Sequence, residues 1–413
     1  MLPFLLCCFL TITVADPDKP QDGDSTHTLT RISGAVERLN ILELGPDKLR
    51  VRQNGQESEI DTGDLLAVVM RASHPTPHAG SYLEVRLVDD AFFRCAAVGF
   101  RGKQVELRLF SGLRVQCSLD ALRSLLCEAQ DEANRSEFKQ LTERNTPFDR
   151  LRLVSRDGTT INTFEGIIGD ADEDGRTLRF KTDDATANIA LNRVRGIIFH
   201  RRIEPGQYQP VCKVVDVFQN VIPVKQMKQT GDTLHITAPS GFQVIMPLEL
   251  VQQVDYSPGK LAWLSDLEPT LKEFRFGVKE DLLRSLPEKY GRDATLFAGQ
   301  NGSSRQIRIG GRVFAKGLNV HSPTVLEFDV SGYNWFRCVL GMDDGVARPG
   351  RAGVRIEGDG RELFSTLVAG ADKPKELEIK ISGVRRLRLV VDRGDDDDEL
   401  GDHVSFGDAR VTK

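Results

Sequence analysis

The chain has 413 residues, with 55 Lys and Arg against 60 Asp and Glu, a formal charge of −5. That length predicts two or three ordinary domains, or more if they are small, and the charge supplies no basic field of the kind nucleic-acid binding needs. Hydrophobic residues at 40% and charged residues at 28% exclude a wholly disordered or collagen-like chain, while 37 Gly and 21 Phe beside only 2 Trp favour turns and short strands. An all-β protein is the expectation.

Residues 1–15, Met1 to Ala15, form an apolar run too short to span a bilayer, followed at once by Asp16-Pro17-Asp18-Lys19-Pro20. This is a signal-peptide pattern, with Thr13 and Ala15 as the small residues of a cleavage site, although the n-region has no Lys or Arg. Residues 16–27 read as a solvated linker. No later stretch approaches the roughly 18 to 20 apolar residues of a membrane helix, so a secreted, periplasmic or cell-surface protein that does not span the membrane is expected. Of seven cysteines, Cys7 and Cys8 lie in the signal. The other five, Cys95, Cys117, Cys127, Cys212 and Cys338, sit in apolar strand patterns and read as core fillers. A Cys95–Cys117 or Cys117–Cys127 disulfide is the alternative. No CxxC or Cys/His cluster predicts zinc.

From Thr28 to Tyr256 a unit recurs in which a strand ends, a tight turn follows and another strand begins. Its landmarks are Asp64, Asp120, Asn192 and Glu249, spaced 56, 72 and 57 residues apart. The longer middle interval coincides with 128–145, which reads as a polar helix with Ala133, Phe138 and Leu141 as its apolar stripe. Upstream of each landmark lie alternating strand patterns such as Leu83 to Val88 and Val105 to Leu109. Five short strands in about 45 to 50 residues is the size of a small closed barrel. The units, at 28–73, 80–127, 149–200 and 210–256, resemble SH3-like or Sm-like barrels in pattern. They are expected to act as spacers or assembly units.

Beyond the turn signal Ser257-Pro258-Gly259 the pattern changes. Trp263-Leu264-Ser265-Asp266 is followed by Arg292-Asp293, Ile307-Arg308-Ile309-Gly310-Gly311 and Lys316-Gly317-Leu318-Asn319-Val320-His321. Then come Phe336-Arg337-Cys338-Val339-Leu340-Gly341-Met342-Asp343-Asp344, Val354 to Gly360, Leu387 to Asp392 and Asp402-His403-Val404-Ser405-Phe406. This ordered series resembles the NPCBM (NEW2) domain over 260–413. The resemblance implies a bacterial carbohydrate-binding module with a galactose-binding-like β-sandwich. The chain departs from the family at Phe406, where Trp is usual.

The residues support such a reading independently. Gly358-Asp359-Gly360 predicts a hairpin turn, and Phe336, Cys338 and Leu340 should share a core face. Sugar recognition needs planar polar groups for ring hydroxyls and an aromatic face for the apolar side of the ring. The candidate glycan-binding residues are His321, Trp335, Asp343, Asp344, Asp402 and His403, gathered at one rim. A buried structural role for His321, and turn capping for Asp343 and Asp344, are the alternatives. The fold often carries a structural calcium, for which Asp266 and Asp408 are the candidate ligands. The acid run Asp395 to Glu399 lacks EF-hand spacing and reads as solvated. Asn134-Arg135-Ser136 and Asn301-Gly302-Ser303 match glycosylation acceptors, a frequent chance pattern.

Three function classes follow. The first is an exported, non-catalytic protein binding a galactose-type or related glycan. The second is a cell-envelope scaffold with protein partners and no sugar binding. The third is an accessory part of a glycoside hydrolase system. A hydrolase itself needs paired carboxylates about 5 to 9.5 Å apart in a cleft, and once barrels and sandwich are assigned no stretch is left to build one, so no enzyme is expected.

Overall fold

The computed structural model describes residues 27–70, 80–144, 146–204, 206–275, 289–296, 306–346, 350–396 and 398–413. The signal-like run 1–15, the linker up to residue 26, the Asn301 acceptor and Asp397 of the acid run lie outside the described residues. Contacts divide the chain between Pro258 and Gly259 into two units.

The first unit traces one path four times, with the second strand of the fourth repeat broken into Val221–Val224 and Gln226–Thr230. In the first repeat the strands His27–Arg31, Val36–Glu43, Lys48–Gln53 and Gln56–Asp61 pair in succession, and after a short 3-10 turn Leu65–Val69 returns to pair with the first strand. Closure recurs at Val85 with Leu125, Leu151 with Ile197 and Val214 with Val254. Each fifth strand follows a 3-10 turn, at Thr62–Asp64, Leu119–Ala121, Leu191–Arg193 and Leu248–Leu250. Asp120, Asn192 and Glu249 are the middle residues of their turns, but the middle residue of the first is Gly63 rather than Asp64. The first landmark is therefore one residue late. Measured at the residues that begin the fifth strands, Leu65, Leu122, Val194 and Val251, the intervals are 57, 72 and 57 residues. Two turns are tied by side chains: Asp61 accepts from the Gly63 amide (2.6 Å) and Ser118 from the Asp120 amide (3.1 Å).

The repeats are not beads on a string. Fifth strands pair with each other across repeats, the first with the fourth (Val68 opposite Val254) and the second with the third (Leu125 opposite Ile197). Val221 opposite Phe92 ties the fourth to the second. One apolar core follows, running from Leu29 to Tyr256 through all four.

The longer middle interval holds the helix Glu132–Glu143, shorter than its sequence suggested. Asp131 caps its start by accepting from the Asn134 amide, while Glu128 is in a left-handed turn. Phe138 and Leu141 are buried but Ala133 faces solvent, so the apolar stripe is narrower than expected. Arg150 and Arg152, on the strand beneath, carry charge into this layer. Arg150 donates to the Leu141 carbonyl and, at 2.7 Å, to that of Arg144, satisfying the helix C-terminus. Arg152 bonds Asn134 and Glu137 at 2.9 and 2.7 Å.

The second unit is a β-sandwich. One sheet orders Gly291–Arg292, Gly317–His321, His403–Thr412, Trp335–Met342 and Lys375–Lys380, with Leu261–Trp263 also on the His403–Thr412 strand. The other orders Leu271–Phe274, Thr324–Asp329, Arg386–Arg393, Arg351–Gly358 and Arg361–Ala369. Alternate residues face inward, so Phe336, Cys338 and Leu340 share the core with Phe406, Phe328 and Ile356. Phe406 is fully buried, which assigns that ring to packing. Asp359 and Gly360, both at positive φ, turn the hairpin between Arg351–Gly358 and Arg361–Ala369.

Candidate functional site

Strand pairing fixes which polar groups meet. His321 is opposite His403, and the Asp343 amide donates to the His403 carbonyl at 2.9 Å, so the ends of three neighbouring strands gather His321, Asp343, Asp402 and His403 at one pole of the sandwich. The imidazoles of His321 and His403 lie edge to face, 4.7 Å between centroids. His321 Nδ1 is 2.6 Å from the Ser322 carbonyl. Burial pushes both imidazoles down, His403 to about 3 with His321 as a further cause, so both are neutral near pH 7.

The carboxylates here are turned toward the protein. Asp402 is 1% exposed and accepts from the Ser322 hydroxyl (2.6 Å) and the Arg351 amide (2.8 Å). Burial raises it to about 6 despite these bonds. Asp343 accepts from the amides of Gly345 (3.0 Å) and Arg308 (3.3 Å) and the Ser405 hydroxyl (3.0 Å), and burial pushes it up as well. Ser405 also receives the Asn319 amide group at 2.8 Å. Asp344, exposed, holds the amides of Gly310 and Gly311 at 2.9 and 2.7 Å, both glycines at positive φ. Asp343, Asp344 and Asp402 thus fix the loops that surround the pole. The surface these loops present includes Arg308, Asp344 and an Arg351–Asp395 pair at 3.0 Å. Ser322, Ser405 and Asn319 were not singled out from sequence. Their signal was position, each lying within two residues of a candidate histidine.

Trp335 does not join this group. It begins the strand whose far end leads to Asp343, and eight extended residues at about 3.3 Å each put roughly 26 Å between them. Trp335 pairs with Thr412 and Lys380 at the opposite pole, and the Arg337 guanidinium lies 5.4 Å from its ring centroid.

The residues proposed for calcium do not fit it. The Lys316 ammonium lies 2.6 Å from Asp266 and 2.8 Å from Asp293, filling the place a cation would take between them. Burial pushes the Asp408 carboxyl up, and the charges that oppose this shift are the Arg410 and Arg312 guanidiniums, so cations of the chain already face it. In the acid run, Glu399 pairs with Arg393 at 3.3 Å and Asp398 accepts from the Glu399 and Leu400 amides. Among the described residues no group of three or more His, Cys, Asp or Glu side chains is placed to hold a metal ion.

Residues 260–412 match the family model of the NPCBM/NEW2 domain. The C-terminal unit is an NPCBM/NEW2 domain. It is thereby a carbohydrate-binding module, a class that is non-catalytic by itself. The chain is similar to the CBM51 of Clostridium perfringens GH95 in complex with methyl-galactose, at 24% identity, TM-score 0.30, over 37% of this chain and 99% of that one. It is also similar to the CBM51-2 and INT domains of Clostridium perfringens ZmpB in complex with GlcNAc, at 17% identity, TM-score 0.31, over 52% of this chain and 45% of that one. A third likeness is to the tandem CBM51 modules of Sp3GH98 from Streptococcus pneumoniae, at 11% identity, TM-score 0.30, over 80% of this chain and 99% of that one. No curated protein matches the sequence. Among the described residues no helix is long and apolar enough to cross a membrane.

Proposed function

We propose that the NPCBM domain binds a galactose-type or related glycan at the pole built around His321 and His403, in a protein exported to the periplasm, cell surface or medium. The observation that carries this reading is the family match over 260–412. In it, His403 and exposed groups of the surrounding loops, Arg308, Asp344 and Arg351, address the sugar hydroxyls. His321, Asp343 and Asp402 hold those loops in place. Export rests on the signal-like residues 1–15, and the four repeats serve as the assembly unit that carries the module.

A rim of this size buries little apolar area, so the expected dissociation constant lies between roughly micromolar and millimolar, about −8 to −4 kcal/mol. A glycan array with the full chain, followed by calorimetry on the best hit, tests it. Arg351→Ala should weaken binding about tenfold with the melting temperature nearly unchanged. Absence of binding to every glycan sinks the reading.

One observation favours a second reading, an envelope scaffold without sugar binding. The Asp343 and Asp402 carboxylates are already bonded to backbone amides and serine hydroxyls. Under that reading the array is blank, and substitutions at the pole change stability only.

A further inference from the structure

A cavity of about 580 Å³ opens in the N-terminal unit between the second and third repeats. Its floor is the pair of fifth strands Leu122–Leu126 and Val194–Ile198, and the helix Glu132–Glu143 forms a wall. Seven Arg or Lys side chains line it against three carboxylates, in a chain of formal charge −5. The three carboxylates already face cations: Asp90 is 3.1 Å from Arg123, Glu143 is 3.3 Å from Lys139 and Glu84 is 3.9 Å from Arg135. Arg150 and Arg201 also meet carboxylates outside the lining, Glu165 at 3.2 Å and Asp120 at 3.7 Å, so the surplus is positive by two. Arg135 and Arg201, two of the lining guanidiniums, each keep a buried Nε without a hydrogen-bond partner. Such a donor favours an incoming acceptor, because burial has stripped its water without supplying a partner. Phe148, 40% exposed, supplies an apolar face, while Phe138 and Phe199 line the cavity as buried rings, the latter under the Arg201 guanidinium at 4.5 Å.

We propose that this cavity binds a saccharide bearing carboxylate or sulfate groups, its ring against phenylalanine and its anionic groups on the guanidinium forks. The volume suits a compact ligand. An extended acidic peptide fits less well, because the strands of the floor offer no open edge for backbone pairing. Leu122–Leu126 is flanked by Leu83–Leu87 and Val194–Ile198, and Val194–Ile198 by Leu122–Leu126 and Asp149–Val154.

Calorimetry on the full chain decides it, with a glucuronate-containing disaccharide, an O-sulfated disaccharide, a neutral disaccharide, inorganic sulfate and hexaglutamate as probes. At least one acidic saccharide should bind about tenfold tighter than the neutral one and weaken as salt rises. Preference between the first two probes tells carboxylate from sulfate. Arg123→Gln, at a half-exposed position, and Arg201→Gln should each weaken binding about fivefold or more with melting unchanged. If Arg201→Gln perturbs the fold, Arg123→Gln decides alone. Arg351→Ala, in the NPCBM domain, should leave this binding intact, which separates its failure from that of the glycan reading. Binding of hexaglutamate or inorganic sulfate only, no binding of either acidic saccharide, or wild-type affinity in Arg123→Gln overturns the proposal.

Discussion

The His321 ring meets the His403 ring edge to face, 73° between planes, on neighbouring strands whose pairing sets the two residues opposite each other. Both imidazoles are driven toward the neutral form, chiefly by burial. In the unfolded chain each titrates near 6.5.

The sign of the pH dependence follows. A histidine whose folded pKa lies near 3 contributes no penalty above about 6.5 and loses stability for the fold as pH falls from there toward 3, because the unfolded chain takes up the proton first. Asp402 works the other way. Raised to about 6, its carboxyl favours the fold below its unfolded value near 3.9, and that contribution is lost as pH rises through 6. Melting temperatures between pH 7 and 4 should therefore fall less steeply in His403→Gln and more steeply in Asp402→Asn than in wild type. Parallel curves for the three proteins would refute the assignment.

The fragment Gly259–Lys413 should fold alone, since its two sheets enclose their own core from Leu264 to Val411. Dispersed amide resonances and one cooperative melting transition are expected. A collapsed spectrum would place the boundary elsewhere.

Lys316 should make added calcium irrelevant to stability, because its ammonium already bridges Asp266 and Asp293. Melting curves with calcium and with a chelator should superimpose. Lys316→Met should lower the melting temperature by leaving two carboxylates facing each other. A rise of several degrees on adding calcium to wild type would overturn the account.

Arg150→Ala should loosen the C-terminus of the helix Glu132–Glu143, where the Arg144 carbonyl loses its guanidinium donor and the Leu141 carbonyl keeps only the Arg144 amide at 3.4 Å, at a cost of about 1 to 3 kcal/mol. Hydrogen exchange should accelerate there and not in the NPCBM domain.

None of the five described cysteines is in a disulfide, and four of them are buried. Burial pushes Cys95 and Cys117 up to about 12 and Cys127 to about 11, far from the thiolate form at neutral pH. A thiol reagent should label the four buried thiols only as fast as the native protein unfolds, and the half-buried Cys127 sooner. Rapid labelling of one thiol in native buffer would count against its burial.

Much of the fold was legible because it is local. Alternation marked the strands, and the recurring turn before each fifth strand marked the repeats. Asp64 lies one residue late because the acidic side chain is not the recurring feature; the turn itself is, and its first example places Gly63 at the centre and is capped by Asp61. Repeat-to-repeat pairing left no local trace. At the pole, His321 and His403 end and begin strands, which sequence shows. That Asp343 and Asp402 turn inward depends on the Ser322, Ser405 and Arg351 donors, brought in by other strands. The separation of Trp335 from Asp343 was readable from the length of the strand between them.

The nested order of the repeats sets a rule for the chain's assembly. Val69 finds its cross-repeat neighbour only at Gln253, so the ribosome must deliver nearly the whole first unit before that strand is covered. Until then Leu65–Val69 is an open β edge, a surface on which chains cross-pair. The inner pair, Leu122–Leu126 with Val194–Ile198, closes much sooner. Removing one repeat would therefore strand its mate rather than shorten the unit by a quarter, and the natural pieces for recombination are mated pairs, the second with the third and the first with the fourth.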